Sequence, residues 1–148
     1  MAIRATLDSN ILIYAELEPE TEKGGRAQAV IAQTAPHGVL AVQALLEFLA
    51  VVRRRRIASL ASAIAKVEAW SQVFETAPTT SVVANAAAAL VRAHGLQVWD
   101  AVIWSAARAA GADLFLSENL QDGLAIDGMR VANPLVLGGA DLTALLAG

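Results

Sequence analysis

The stretch TLDSNILIY, Thr6 to Tyr14, decides how the chain is read. A β-favouring, apolar run from Ile3 to Leu7 stops at Asp8, passes through two small polar residues and becomes apolar again at Ile11. The first part fits a short strand, and Asn10 to Ala15 fits a short helix that begins at once. An aspartate at such a junction has two readings. It caps the helix, for which aspartate is a favoured residue, or it forms one wall of a reactive site at the end of a strand.

Outward from this stretch, helical and extended patterns alternate. Glu20 to Thr34 carries small or apolar residues at Ala27, Val30, Ile31 and Thr34, a helical spacing whose start Gly24 and Gly25 are expected to fray. Pro36 to Gly38 breaks the chain, Val39 to Val42 reads as a second strand, and Ala44 to about Arg56 as a helix with Leu45, Leu49 and Val52 on one stripe. Leu60, Ile64, Val67 and Phe74 mark a helix closed before Pro78. Val83, Ala86, Ala87, Leu90 and Val91 mark another, stopped by His94-Gly95. A helix from near Asp100 to Gly111, a strand over Leu114 to Leu116, a polar loop over Ser117 to Gly123, a strand over Met129 to Ala132 and a short helix from Leu142 complete the pattern. Strands separated by helices need crossover connections, so the expectation is an α/β domain over 1–148. It has three layers, with a mainly parallel sheet of about four or five strands flanked by helices.

Composition narrows the function. A chain of 148 residues fits one domain with one core. The hydrophobic fraction of 56% is high, yet the longest apolar stretch, Ala41 to Val52, is broken by Gln43 and Glu47. It falls short of the roughly 20 apolar residues that cross a bilayer. With no basic and apolar leader, an unprocessed cytoplasmic protein without a membrane partner is expected. The absence of cysteine excludes disulfides, thiolate catalysis and cysteine-ligated zinc. The alanine-rich apolar surplus predicts surface that a partner or a second copy covers, with a homodimer expected. A net charge of −3 does not announce a nucleic-acid binder, but Arg53 to Arg56 form one basic run while the acids are scattered.

In open parallel sheets, ligands bind outside the carboxyl ends of the strands, and the acids fall there. Asp8 follows the first strand, Glu47 lies in the helix after the second, Asp100 sits near the start of a late helix, and Ser117-Glu118-Asn119 follows the third strand. Glu47 stands in AVQALLEFLAVV, where the only other polar side chain is Gln43, one turn earlier. A carboxylate buried there must be paired, protonated or bound to a metal; the plain alternative is that it faces solvent or an arginine further along the helix. Asp100 has the alternative of capping its helix. Three carboxylates drawn to one edge repel each other, and a hard divalent cation relieves them. Such a site holds Mg²⁺ or Mn²⁺, lowers the pKa of a bound water and offsets charge on a phosphodiester, so the expected chemistry is hydrolysis.

LDSNILIY, QALLEFLAV, WDAVIWSAA and LFLSENLQDG together resemble the PIN domain, particularly the VapC-type toxins of bacterial toxin–antitoxin pairs, in order and spacing from about Ile3 to Val136. The resemblance implies a PIN-like fold and an Mg²⁺- or Mn²⁺-dependent endoribonuclease, with RNA as substrate and a cognate antitoxin as partner. It implies Asp8, Glu47 and Asp100 as the principal acids and metal ligands, with Asn10 and Ser117 as supporting polar groups. Many relatives carry an aspartate two residues after the serine or threonine, where this chain has Asn119. Asparagine ligates or positions a water without adding charge, and Glu118 or Asp122 are alternative occupants of that fourth position.

Other features carry less. Successive helical arginines point about 100° apart, so at most two of the run share an RNA-facing surface; a charged helix end is the alternative. His37 and His94 lack metal-ligand spacing, and Trp70, Trp99 and Trp104 read as core or interface packing more readily than as base-stacking platforms. No phosphate-binding glycine motif is present. Two competing functions remain: a PIN-fold module that binds RNA or protein without turnover, supported by Asn119, and a phosphatase with Asp8 as nucleophile. The phosphatase reading is disfavoured because Asn10 stands where haloacid-dehalogenase-like enzymes carry a second aspartate.

Overall fold

The computed structural model describes residues 3–56 and 58–148. The apolar residues before Asp8 form β1 (Ala5–Leu7), all three buried, and Asp8 joins β1 directly to α1 (Ser9–Leu17). There follow α2 (Glu22–Thr34), a 3-10 turn (Ala35–His37), β2 (Val39–Ala41), α3 (Val42–Arg55), α4 (Leu60–Val73), β3 (Glu75–Ala77) and α5 (Ser81–His94). The chain ends with α6 (Val98–Ala109), β4 (Leu114–Leu116), β5 (Ala125–Ile126), β6 (Met129–Ala132) and α7 (Gly139–Ala147).

One sheet runs in the order β3-β2-β1-β4-β6-β5. Its pairs are parallel except β5 on β6. Thr6 stands opposite Val39 on one side and Phe115 on the other. Among the described residues the six strands exceed the four or five expected from the sequence, and the additions are short edge pieces. In β3 only Ala77 is buried, and β5 has two residues, so neither shows a readable alternation.

The pleat sends alternate residues to opposite faces. Leu7, Leu40, Leu114 and Leu116 join Ile11, Leu12, Val30, Phe48, Trp70 and Leu142 beneath α1, α2, α3, α4 and α7. Val39, Ala41, Phe115 and Val131 join Val83, Leu90, Ile103 and Trp104 beneath α5 and α6. The result is a helix–sheet–helix sandwich, as the alternating sequence pattern predicts. Phe48 meets Trp70 edge-on at 4.9 Å and Trp104 stacks on Phe115 at 5.2 Å, so two of the tryptophans are core while Trp99 is half exposed. Among the described residues no helix is long and apolar enough to cross a membrane.

Helix ends follow local chemistry. Thr21, Ser59 and Thr80 each accept a first-turn amide of α2, α4 and α5, and α5 stops at Gly95 with φ of 66°. The start of α2 differs from the frayed helix that its glycines suggest. The Gly24 amide donates to Thr21 Oγ1 at 2.9 Å. A Cβ at Gly24 would lie 1.7 Å from the Glu18 carbonyl oxygen, so only glycine lets the α1–α2 hairpin close. Gly25 faces open space.

The two neighbouring glycines therefore respond oppositely to the same change. Gly24→Ala should cost on the order of 3 kcal/mol, because backbone must move. Gly25→Ala should gain about 0.5–1 kcal/mol from helix propensity and reduced unfolded-state freedom. Urea denaturation midpoints read both, and a harmless Gly24→Ala would contradict the close approach.

Candidate active site

The chain leaves β1 for β2 on one side and later returns to place β4 on the other, so the crossovers diverge at the β1–β4 boundary. A crevice at the carboxyl ends of the strands is expected there. Asp8 directly follows β1 and Ser117 directly follows β4, and the two meet across the boundary. The Asp8 amide donates to the Leu116 carbonyl at 3.0 Å, and Ser117 Oγ donates to Asp8 Oδ2 at 2.8 Å. Ser117 Oγ also accepts the amides of Asn119 at 3.1 Å and Leu120 at 3.3 Å, while Ser9 Oγ approaches Asp8 Oδ1 at 3.4 Å. Asp8 occupies the N-cap position of α1 yet makes no side-chain capping hydrogen bond. Its carboxylate is 1% exposed and committed to the strand boundary. Burial pushes its pKa up, opposed in part by the Ser117 hydroxyl and the nearby Ser9 and Asn10 amides.

Glu47 and Asp100 reach the same neighbourhood from α3 and α6. Glu47 is partly buried, with Oε2 enclosed and without a hydrogen-bond partner. Burial, then the charge of Asp8, push its pKa up to about 7; Gln43, one turn earlier, opposes this and Asp100 adds to it. Burial and the Asp8 charge push Asp100 up to about 6. Asp100 does not cap α6: Gln97 holds that position, and its Oε1 accepts the Asp100 amide at 3.0 Å. The ion pairs formed by the described residues engage Glu75, Glu118 and Asp113, and none of them includes Asp8, Glu47 or Asp100.

The donor chemistry fits a hard divalent cation, and the enclosed, unpartnered Glu47 Oε2 is an oxygen that such an ion would satisfy. Among the described residues no group of three or more Asp, Glu or His side chains is arranged so that it could hold a metal ion. The charge of Asp8 raises the proton affinity of both Glu47 and Asp100, and the charge of Asp100 raises that of Glu47.

The remaining candidates are placed as follows. Asn10 is half-buried in the first turn of α1. Glu118 is engaged by other partners: its Oε1 accepts from Tyr14 Oη at 2.8 Å and Lys23 Nζ at 3.0 Å. Burial alone would raise its pKa, but these two partners outweigh it and hold the carboxylate below its usual range. Asp122 Oδ1 accepts the Asn133 amide at 3.1 Å, bracing the loop before β5. Asn119 is exposed just past Ser117. His37 ends the 3-10 turn and His94 ends α5. Arg53, Arg54 and Arg55 fill the last turn of α3, and Arg56 follows in the left-handed region at φ of 55°. Sequence reasoning missed Tyr14 and Lys23, whose ammonium sits 4.3 Å from the Tyr14 ring and which together anchor the loop bearing Ser117 and Asn119. The one available signal was the hydroxyl that ends TLDSNILIY.

The profile of the PIN domain family matches residues 5–121. No curated protein matches the sequence. Solved structures share the fold at low identity. A toxin–antitoxin complex from Klebsiella pneumoniae superposes with a TM-score of 0.65 at 21% identity, covering 88% of this chain and 97% of that one. A sarcin–ricin-loop-cleaving VapC toxin from Mycobacterium tuberculosis gives 0.64 at 18% identity, covering 78% and 91%. A DNA-bound VapBC complex from Salmonella typhimurium gives 0.63 at 19%, covering 89% and 98%.

The raised pKa values fix the sign of a pH effect in the metal-free protein. Glu47 rises from an ordinary 4.5 to about 7 and Asp100 from 3.8 to about 6, so between those limits the native state binds more protons than the unfolded one. Stability from these groups is full below the unfolded values and is lost as pH rises through the folded ones. In EDTA, the melting temperature of the parent should fall relative to that of Glu47→Gln between about pH 4.5 and 7.5. Parallel curves for the two proteins would show that Glu47 is not destabilised by charge.

Proposed function

The chain belongs to the PIN-domain family, and on that premise we propose that it is a divalent-cation-dependent endoribonuclease serving as the toxin of a toxin–antitoxin pair. The observation that carries the reading is the meeting of Asp8, Glu47 and Asp100, from three separate elements, in one electrostatic neighbourhood at the carboxyl edge of the sheet. Asp8, Glu47 and Asp100 would hold Mg²⁺ or Mn²⁺. When bound, the cation supplies Lewis-acid polarisation of the phosphodiester and neutralises its charge. The chain provides the orientation: Ser117 fixes the Asp8 carboxylate through its hydroxyl, and its own position is held by the Asn119 and Leu120 amides. Glu118 and Asp122 are engaged elsewhere. Asn119 is thus left to fill the fourth position, with an amide that orients the attacking water without adding charge.

The partners follow from the surface. Likeness of fold to VapC and VapBC proteins supports an antitoxin partner. A cleft of about 280 Å³ between α1, α2 and α4, lined by Ala15, Gln28, Ile31, Lys66, Trp70 and Val73, supports a seat for its chain. Leu46, Val82, Val98 and Trp99 are exposed near the starts of α3, α5 and α6, which supports a homodimer. A cytoplasmic location belongs to the same reading. One observation favours the alternative of a binding module with little turnover: the site offers three acids where many relatives offer four. Cleavage of single-stranded RNA with Mg²⁺ and with EDTA separates the two.

Asp8→Asn keeps an oxygen for the Ser117 hydroxyl and removes one charge. It should abolish Mg²⁺-dependent cleavage while leaving the melting temperature in EDTA unchanged or raised; unfolding in proportion to lost activity would make Asp8 a structural group. Asn119→Asp should lower stability in EDTA and enlarge the rise in melting temperature on adding Mg²⁺ or Mn²⁺, because affinity grows with charged oxygens and binding favours the folded form. An unchanged metal response would remove Asn119 from the fourth position.

A further inference from the structure

The basic run at the end of α3 is not used by the site described above, and helix geometry singles out one of its members. At about 100° per residue, Arg54 lies about 20° around the helix from Glu47, whereas Arg53 and Arg55 lie about 120° and 80° away. The buried residues of α3, Ala44, Leu45, Phe48 and Val52, lie about 60–160° around the helix from Glu47, the sector into which Arg55 also falls. Gln43, Glu47 and Arg54 therefore form one stripe, with Arg54 about 10 Å further along the axis than Glu47. Helical side chains lean toward the N-terminus of their helix, which tips Arg54 back toward the acids.

Arg54 is exposed and forms no hydrogen bond or ion pair with any described residue. Two cations on other elements are engaged: Lys23 holds Glu118, and Arg26 donates to the Pro134 carbonyl at 3.3 Å. An edge carrying three carboxylates repels a polyanion unless a neighbouring cation captures it. A guanidinium is suited to this task, because its planar fork matches two phosphate oxygens and it stays charged at all working pH values.

We propose that Arg54 is a substrate-positioning residue that binds a phosphate of single-stranded RNA flanking the scissile one, and so sets the strand along the Gln43–Glu47–Arg54 stripe. The proposal rests on the ribonuclease reading. Arg53 and Arg55 leave this face and sit at the negative end of the α3 dipole.

The test has a binding arm and a cleavage arm. Binding of a fluorescein-labelled single-stranded oligoribonucleotide is followed by anisotropy over a salt series, with every variant in the Asp8→Asn background to suppress turnover. Arg54→Ala should weaken binding by about tenfold and reduce the slope of log K against log salt by about 0.7, the contribution of one phosphate contact on a single strand. Arg54→Glu should weaken it further, and Arg53→Ala should change it less than about twofold. With Asp8 intact, Arg54→Ala should raise KM with kcat little changed. An unaltered salt slope for Arg54→Ala, or an equal loss for Arg53→Ala, overturns the proposal even while the parent cleaves RNA. A parent that cleaves no RNA but shows the slope change overturns the ribonuclease reading and leaves the phosphate contact standing.

Discussion

A carboxylate enclosed between two central strands is the constraint around which this molecule is arranged. Asp8 directly follows β1, is 1% exposed, and finds its partner in Ser117 just after β4, a residue far away in sequence. Moving an ionised group out of water costs several kcal/mol unless hydrogen bonds or opposite charge replace the lost solvent. The Ser117 hydroxyl supplies part of that replacement, and only parallel pairing of β1 with β4 in the observed register, Leu7 opposite Leu116, places it there. The loop that follows is fixed in turn by Glu118, held by Tyr14 and Lys23 from the α1–α2 hairpin. Gly24 matters for the same reason, since it lets α2 close on α1 and so sets Lys23 within reach of Glu118.

Much of the fold was legible because its determinants are local and periodic. The strands β1, β2, β4 and β6 are bounded by polar or glycine-containing turns, and the helices α3 to α6 carry apolar stripes at helical spacing. What escaped notice depends on distant packing. In β3 the residues Glu75 and Thr76 have no apolar signature, and the strand exists because β2 offers an open edge to pair with. Two-residue β5 is likewise defined by its partner β6. At Gly24 sequence reasoning misjudged a glycine: its low helix propensity suggested fraying, whereas its missing side chain is what allows contact with the Glu18 carbonyl.

The site was legible to the extent that an acid is conspicuous in apolar surroundings. Glu47 stands out within its helix, and Asp8 and Asp100 stand out at the starts of theirs. Each of the latter two had capping as a competing explanation; Gln97 takes the cap of α6, while Asp8, at the N-cap position of α1, has its carboxylate bound across the strand boundary by Ser117. The roles of Glu118 and Asp122 could not be read in advance. A carboxylate in a polar turn looks the same whether it faces a reactive centre, an ammonium group or a backbone amide, and the partner that decides lies as far off in the chain as Lys23 is from Glu118.

The energetics of the acidic edge bear on why it exists. Glu47 and Asp100 have pKa values raised to about 7 and about 6, chiefly by burial, with Asp8 as the next cause in both. Each ionisation in this cluster therefore works against the folded state, and a glutamine or leucine at Glu47 would suit the core of α3 better. A structural role would call for partners, yet Glu47 Oε2 has none. Unfavourable choices that local packing does not explain mark places where a ligand supplies the missing interaction. A ligand in that role would be positively charged, to relieve the carboxylates, and would accept oxygen donors. A polyanion can approach the same edge only after such neutralisation or under the pull of a nearby cation, so the proposed cation site and the proposed role of Arg54, about two turns beyond Glu47 on α3, answer a single electrostatic requirement.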